Sequence, residues 1–135
     1  MLPLYRGASP IESSLLDGNI TTGVSIIKLD SEMDHGKILV QNAFTIPAEA
    51  TAGTLEVTCG QLGGEMLSQI IPSYIDGSLK LKEQDHGSAT FCKKIEKTMG
   101  EIKLTDSADD IRRKFRAFTP WPSLYFIYLH GDKNI

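Results

Sequence analysis

The feature that most constrains the fold is a short and almost continuously apolar segment, residues 24–29 (VSIIKL). An unbroken apolar run with β-branched residues favours a strand that is buried on both faces and has neighbours at both edges. The alternating segment 38–46 predicts one partner strand, which ends at Pro47. Because two strands alone make a marginal sheet, we expect an incomplete α/β unit with at least one open strand edge.

Two helices flank these strands in the sequence. Residues 9–12 (SPIE) form a capping box with proline at the first helical position, which predicts a short helix over residues 10–17. Apolar residues at intervals of three and four predict a long helix over residues 51–76. Its apolar face comprises Leu55, Cys59, Leu62, Met66, Ile70 and Tyr74. The polar, glycine-containing residues 30–37 (DSEMDHGK) predict a loop between the strands.

The sequence changes character after residue 77. Residues 78–92 are polar and have no clear period, so they predict a linker that lets the two halves move independently. Another helix is predicted over residues 106–118, because the prolines that follow cannot continue it. Residues 124–129 (LYFIYL) predict a further strand. Neither half is complete in this interpretation, and we expect the chain to associate with other chains through its open edges.

Composition excludes several classes of protein. The chain has 135 residues, of which 41% are hydrophobic and 23% charged, as in globular rather than disordered proteins. Its net charge of -3 gives no general attraction to nucleic acid. No apolar run approaches the ~20 residues of a bilayer span, and the start does not resemble a signal peptide. With Cys59 and Cys92 as the two thiols, we expect a reduced, cytoplasmic protein without a membrane partner.

Few residues predict chemistry by themselves. Asp34 and His35, in the loop between the strands, fit an acid/base pair, although simple turn residues are the commoner interpretation. The segment that begins at Arg6 precedes a helix N-terminus, where either an anion site or a structural cap is expected. The three histidines and two cysteines lack metal-ligand spacing, so no metal site is predicted.

Basic residues concentrate in one part of the chain, between residues 93 and 116. They are interleaved with Phe115, Phe118 and Trp121. Such runs are usually solvated helix faces, but contact with an RNA backbone is the alternative. The basic residues are Lys93, Lys94, Lys97, Arg112, Arg113, Lys114 and Arg116.

Four stretches of the chain resemble the methionyl-tRNA formyltransferase family. They are LPLYRGASPI, TTGVSIIKLDSEMDHGKIL, SATFCKKI and IRRKFRAFTPWP, and together the resemblance covers essentially the whole chain. All folate-dependent formyltransferases share the first two motifs, including those that act on sugar nucleotides. The last two motifs favour the tRNA enzyme.

The resemblance implies an α/β fold in three parts. Residues 1–77 correspond to the C-terminal part of a Rossmann-like catalytic domain, residues 78–92 to a linker, and residues 93–135 to the beginning of an OB-like β-barrel domain that binds tRNA. The family's catalytic asparagine and histidine lie just before the position of Leu2. The chain therefore resembles an internal part of a longer family member. We expect it to be inactive alone and to require a complementary N-terminal fragment as a partner.

The resemblance also implies an activity and a set of site residues. The family transfers a formyl group from 10-formyltetrahydrofolate to the amino group of methionyl initiator tRNA. Asp34 aligns with the catalytic aspartate, which orients the histidine and accepts or relays a proton through water. The folate-contacting positions match Leu2, Pro3, Asp30, Met33 and Asp34. The positions expected to face tRNA are Arg6, Lys93, Lys94, Arg112, Arg113 and Arg116.

Two other functions are compatible with these motifs. One is a non-enzymatic RNA-binding or interaction module that uses the basic helix. The other is part of a sugar-nucleotide formyltransferase, which would not depend on tRNA. A tRNA footprint on residues 93–116 distinguishes the tRNA enzyme from the sugar enzyme.

Overall fold

A computed structural model describes residues 1–130 and 133–134. The α-helices are α1 (Pro10–Leu16), α2 (Ala52–Ile75) and α3 (Ala108–Ala117). The strands are β1 (Arg6–Gly7), β2 (Thr21–Ile27), β3 (Ile38–Thr45), β4 (Phe91–Cys92), β5 (Leu129–His130) and β6 (Lys133–Asn134). Short 3-10 turns occupy His86–Ser88 and Lys97–Gly100. No helix in the described residues has the length and apolar character needed to cross a bilayer.

The three predicted helices are confirmed, and their caps show how local sequence defines them. Thr51 caps α2 through a capping box with Thr54, and the Ser107 side chain accepts from the Asp110 N–H at the start of α3. At α1 the predicted capping box is wrong, because the Ser9 side chain makes no cap hydrogen bond. The Ser9 N–H instead donates to Cys92 Sγ at 3.3 Å, so a distant residue fixes this helix start.

Strands β2 and β3 form an antiparallel pair, with Thr21 opposite Thr45. Among the described residues no third strand joins this sheet, so the expected open edge is confirmed. Helix α2 covers one face, where a Cβ added to Gly63 would lie 3.6 Å from Val24 Cγ1. The expectation of a strand buried on both faces is wrong, because β2 is at most half-buried and Leu29 is 80% exposed.

One apolar core joins the beginning and the later part of the chain. Leu15 of α1 and Phe118 at the end of α3 are almost fully buried, and Leu55 of α2 and Ile95 belong to the same cluster. Helix α1 packs directly against α3. The prediction of two halves that move independently therefore does not hold, although the predicted domain boundaries themselves stay a prediction.

The segment over residues 78–92 is docked rather than free. Lys82 pairs with Ile38 through two backbone hydrogen bonds of 2.8 and 2.9 Å, and β4 pairs in parallel with β1. Between these anchors, the side chain of Gln84 is 5% exposed. The segment lacks an apolar period because polar and backbone contacts hold it in place.

The predicted strand over residues 124–129 is wrong for most of its length. Within it, Tyr125 forms an isolated bridge with Glu101, and Leu129 belongs to the two-residue strand β5. Among the described residues after 92, no strand is longer than two residues. The OB-like barrel therefore stays a prediction.

Candidate functional site

Asp34 lies in the loop between β2 and β3, as predicted. Its backbone is left-handed, with φ 53°, a conformation in which aspartate is enriched among non-glycine residues. Its Oδ2 accepts a hydrogen bond of 2.8 Å from the Gly7 N–H. Two residues later, Gly36 passes so close to the Lys28 carbonyl that any Cβ there would overlap it. Glycine at position 36 therefore lets this tight loop close.

The donor to Asp34 is itself held in a fixed position. Gly7 has φ 117°, which a residue with a side chain rarely adopts, and a Cβ there would overlap the Cys92 carbonyl oxygen. The pairing of β1 with β4 fixes Gly7 in register with Cys92. The Gly7 N–H is therefore a preorganised donor, of the kind that positions a carboxylate without further rearrangement.

A polar network built on the buried residues Arg6 and Gln84 contacts the Asp34 loop. Arg6 is 4% exposed and its Nη2 donates to Gln84 Oε1 at 2.7 Å. The same Nη2 lies 2.9 Å from His86 Nδ1, which must act as the acceptor because a guanidinium only donates. Gln84 Nε2 in turn donates to the Asp34 carbonyl at 2.9 Å and to the Gly36 carbonyl at 2.7 Å. Arg6 Nε is buried without a partner among the described residues.

His35 does not pair with Asp34. Its Nδ1 lies 2.8 Å from Asp30 Oδ2, and its ring stacks on His86 with centroids 4.0 Å apart. The hydrogen bond from His35, followed by one from the Glu32 N–H, lowers the pKa of Asp30. The acid/base pair suggested by the adjacent residues Asp34 and His35 is therefore not formed.

A cavity of about 300 Å³ opens beside Asp34. Its wall is mostly apolar, and Asp34 is the acidic residue in the lining. Burial raises the pKa of the Cys59 thiol, which keeps this lining residue in its neutral and weakly nucleophilic form. The lining includes Leu2, Gly7, Ile11, Gly23, Val24, Ser25, Asp34 and Cys59. An apolar pocket with one placed carboxylate suits a ring system that carries a polar reacting group.

The structure brings together only some of the residues predicted to contact folate. Leu2 and Asp34 line the cavity, and Pro3 lines an adjoining one. Asp30 is engaged with His35 and lines a different depression, and the Met33 side chain is 70% exposed. The cavity beside Asp34 therefore includes neither Asp30 nor Met33.

The residues predicted to face RNA fall into two groups: the arginines of α3, which contact other parts of the chain, and two exposed lysines. Arg112 donates to Glu49 at 2.8 Å, and Arg116 Nε donates to the Ala50 carbonyl at 2.8 Å, so α3 clamps the turn before α2. The Arg113 guanidinium lies against Gly18. Lys93 and Lys94 are exposed and have no hydrogen bond or ion pair with the described residues.

Arg6 requires a correction. It was expected to face RNA, but its guanidinium is inside the network with Gln84 and His86. A cation that is enclosed in this way cannot reach a phosphate in this conformation. Gln84 and His86 were not predicted from the sequence. They lie in the polar segment 78–92, which has no hydrophobic period that would indicate their contacts.

Two family models match the chain. Residues 1–71 match the model described as formyl transferase, and residues 94–135 match the formyl transferase C-terminal domain. Methionyl-tRNA formyltransferase of Chloroflexus aggregans is 42% identical over 125 residues, which are 93% of this chain and 40% of that relative. The chain thus spans about 40% of the length of the curated relatives it matches.

Two solved structures show a similar fold. The N-formyltransferase from Helicobacter canadensis, in complex with folinic acid and dTDP-3-aminofucose, has a TM-score of 0.78 at 23% identity. That match covers 86% of this chain and 44% of the other. Methionyl-tRNA formyltransferase from Clostridium thermocellum has a TM-score of 0.69 at 20% identity, over 99% of this chain and 62% of the other.

Proposed function

Because the chain belongs to the formyl transferase family, we propose that it supplies part of the site of a folate-dependent methionyl-tRNA formyltransferase. The donor is 10-formyltetrahydrofolate and the acceptor is the amino group of methionyl initiator tRNA. One observation carries the proposal: Asp34, whose carboxylate accepts a hydrogen bond from the Gly7 N–H, lines a mostly apolar cavity. Oδ1 accepts no hydrogen bond from the described residues, so it is available to the reacting groups.

The chemistry requires a proton acceptor at this position. As the amine nitrogen bonds to the formyl carbon, the carbonyl oxygen becomes an oxyanion and the nitrogen becomes acidic. Asp34 takes that proton, directly or through water, and the proton passes to the folate nitrogen as its bond to the formyl carbon breaks. The oxyanion is stabilised by the family's asparagine and histidine, which the resemblance places before Leu2.

We assign the donor to the apolar wall of the cavity. Leu2 and Val24 provide apolar surface for a ring system, and Asp34 belongs to the same lining, so we assign the formyl group to the side of the cavity at Asp34. The similar enzyme from Helicobacter canadensis was solved in complex with folinic acid, which supports a folate-derived donor. Asp30 and Met33 are not assigned to donor binding, because neither lines this cavity.

The acceptor is proposed from the sequence relatives. Several relatives at 35–42% identity are named methionyl-tRNA formyltransferases. Lys93 and Lys94 are exposed and uncommitted, so we assign them to the tRNA backbone, together with the exposed Arg112 and Arg113 of α3. Arg116 is half-buried and serves the turn before α2. Such an activity belongs in the cytoplasm, with a complementary N-terminal segment as the other part of the site.

A sugar-nucleotide formyltransferase is the second candidate. It is favoured by the fold likeness to the Helicobacter canadensis enzyme, whose TM-score exceeds that of the Clostridium thermocellum enzyme. That likeness concerns the fold alone, whereas the 42% identity to a tRNA enzyme concerns the residues themselves. The tRNA acceptor is therefore preferred. A non-enzymatic RNA-binding module does not account for a carboxylate placed at a cavity.

A chimera tests the function. Residues 1–135 replace the matching segment of the Chloroflexus aggregans relative, and formyl transfer from 10-formyltetrahydrofolate is measured with methionyl initiator tRNA or dTDP-3-aminofucose. We expect formylation of the tRNA only. Formylation of the sugar alone would support the second candidate, and a folded chimera inactive on both would contradict the proposal. The 135-residue chain by itself, assayed in parallel, is expected to give no product.

A further inference from the structure

We propose that Gln84 is a positioning residue for Asp34. Its side-chain amide fixes the backbone on both sides of His35 and couples this turn to the Arg6–Gly7 segment that donates to the Asp34 carboxylate. The inference rests on the proposed function, because it assigns Gln84 to the service of the reacting carboxylate.

The donor side of the Gln84 amide fixes the turn. Nε2 has two hydrogens, and they go to the carbonyl oxygens of Asp34, at 2.9 Å, and Gly36, at 2.7 Å. These two bonds hold the peptide groups that follow Asp34 and Gly36, on either side of His35, and so support the turn in which Asp34 has its left-handed backbone. The direction of the Asp34 side chain follows from that backbone conformation.

The acceptor side of the amide fixes the donor segment. Gln84 Oε1 accepts from Arg6 Nη2 at 2.7 Å, and the next residue, Gly7, gives its N–H to Asp34 Oδ2. The contacts thus close a ring from Gln84 through Arg6 and Gly7 to Asp34 and back. A shift of either segment lengthens a hydrogen bond to Gln84, so the amide sets the distance between the carboxylate and its donor.

Only one orientation of the amide satisfies this ring. Turned over, Oε1 would face two carbonyl oxygens, and Nε2 would face the guanidinium, so all three contacts would be repulsive. The side chain is 5% exposed, and water cannot readily replace the lost partners. A buried glutamine whose side chain makes three hydrogen bonds, two of them fully buried, is unusual, since glutamine is mostly exposed.

Simple anchoring of residues 78–92 does not account for Gln84. Lys82 already attaches this segment to Ile38 through two backbone hydrogen bonds, and β4 attaches its other end to β1. The segment is therefore fixed on both sides of Gln84 without the glutamine side chain. What the side chain adds is its contact with Asp34, Gly36 and Arg6.

Hydrogen exchange of the Gly7 N–H tests the coupling directly in the 135-residue chain. Gln84→Ala is expected to accelerate this exchange about tenfold, the factor that about 1.4 kcal/mol represents. Gln84→Glu keeps the side-chain volume and the acceptor for Arg6 but cannot donate to the two carbonyls. It should accelerate exchange similarly. The control is Gln69→Ala, an exposed position on α2, and it should leave Gly7 unchanged.

Kinetics in the chimera separate positioning from a general loss of structure. Gln84→Ala should lower kcat by up to about 100-fold with little change in the KM for 10-formyltetrahydrofolate, because misplacement by about 1 Å can cost this much. If Gln84 acts through Asp34, the same change made in an Asp34→Asn background should have almost no further effect. A structural role would give the same loss in both backgrounds.

The two proposals fail in different ways. Unchanged Gly7 exchange in Gln84→Ala, or a full additional loss of kcat in the Asp34→Asn background, would overturn the role of Gln84. A chimera that formylates no acceptor would overturn the proposed function. In that case faster Gly7 exchange in both Gln84 variants would still support the coupling to Asp34.

Discussion

The Asp34 loop and helix α3 both depend on arginine, but they use it in opposite ways. Arg6 is 4% exposed and donates to the buried Gln84 and to the exposed His86. Arg112 of α3 stays at the surface, where it pairs with the largely exposed Glu49. Arg6 thus organises a site from a buried position, whereas Arg112 forms an ion pair at the surface. Burial, which the sequence does not display, distinguishes them.

The two regions also differ in what makes them rigid. Around Asp34, three segments distant in sequence meet through hydrogen bonds to the Asp34 carboxylate and to the backbone carbonyls of Asp34 and Gly36. Helix α3 is fixed by packing, with Ala117 and Phe118 buried against Leu15. Hydrogen bonds fix the orientation of the groups around Asp34, whereas apolar packing fixes the position of α3. Mutations near Asp34 should therefore change kcat, and mutations in the core around α3 should change the free energy of unfolding.

The largest effect is expected at the Asp34 loop. In the chimera, Asp34→Asn should lower kcat by about 10²–10⁴-fold, because the carboxylate that accepts the proton is lost. The melting temperature should change little, since the amide oxygen can still accept from the Gly7 N–H. Formylation assays and thermal unfolding provide the two readouts. Full activity in this variant would remove Asp34 from the mechanism.

The next largest effect should appear in the stability of α3. Phe118→Ala is expected to lower the free energy of unfolding by about 3–5 kcal/mol, because it opens a cavity in the shared core. Phe115→Ala is a matched control on the same helix, since Phe115 is 54% exposed and should cost below about 0.5 kcal/mol. Urea unfolding measures both. Equal losses would mean that α3 does not contribute to the core as described.

Two arginine substitutions test whether burial distinguishes Arg6 from Arg112. Arg6→Ala should cost about 1–3 kcal/mol, because Gln84 and His86 lose a buried hydrogen-bond partner. Arg112→Ala should cost below about 1 kcal/mol, as expected for an exposed ion pair. Unfolding of the two variants under the same conditions gives the difference. Similar values would show that burial does not separate the two arginines.

The smallest effect concerns the surface charges. Replacing both Lys93 and Lys94 by alanine in the chimera should weaken tRNA binding and reduce the salt dependence of its affinity by about one unit of slope per lost phosphate contact. Lys80→Ala, an exposed lysine outside residues 93–116, is the control. Filter binding at several salt concentrations measures the slopes. An unchanged slope in the double variant would remove this surface from the RNA interface.

Local sequence predicted the secondary structure better than the arrangement of the polar residues. Apolar spacing predicted α2 and the following prolines predicted the end of α3, and both helices lie where these patterns indicate. The position of Asp34 between two strands also follows from the pattern. The strand over residues 124–129 was overpredicted, because β propensity cannot supply the partner strand that an extended segment needs.

By itself, the sequence determined the helices, the strand pair and the family motifs, because these depend on residues a few positions apart. Only the tertiary structure decided that Arg6 is enclosed, that Gln84 holds the Asp34 turn, and that both parts of the chain share a core. The deciding hydrogen bonds join residues 78 and 50 positions apart. Whether a polar side chain meets water, RNA or a buried carbonyl depends on which distant segment folds over it, and no local pattern encodes that.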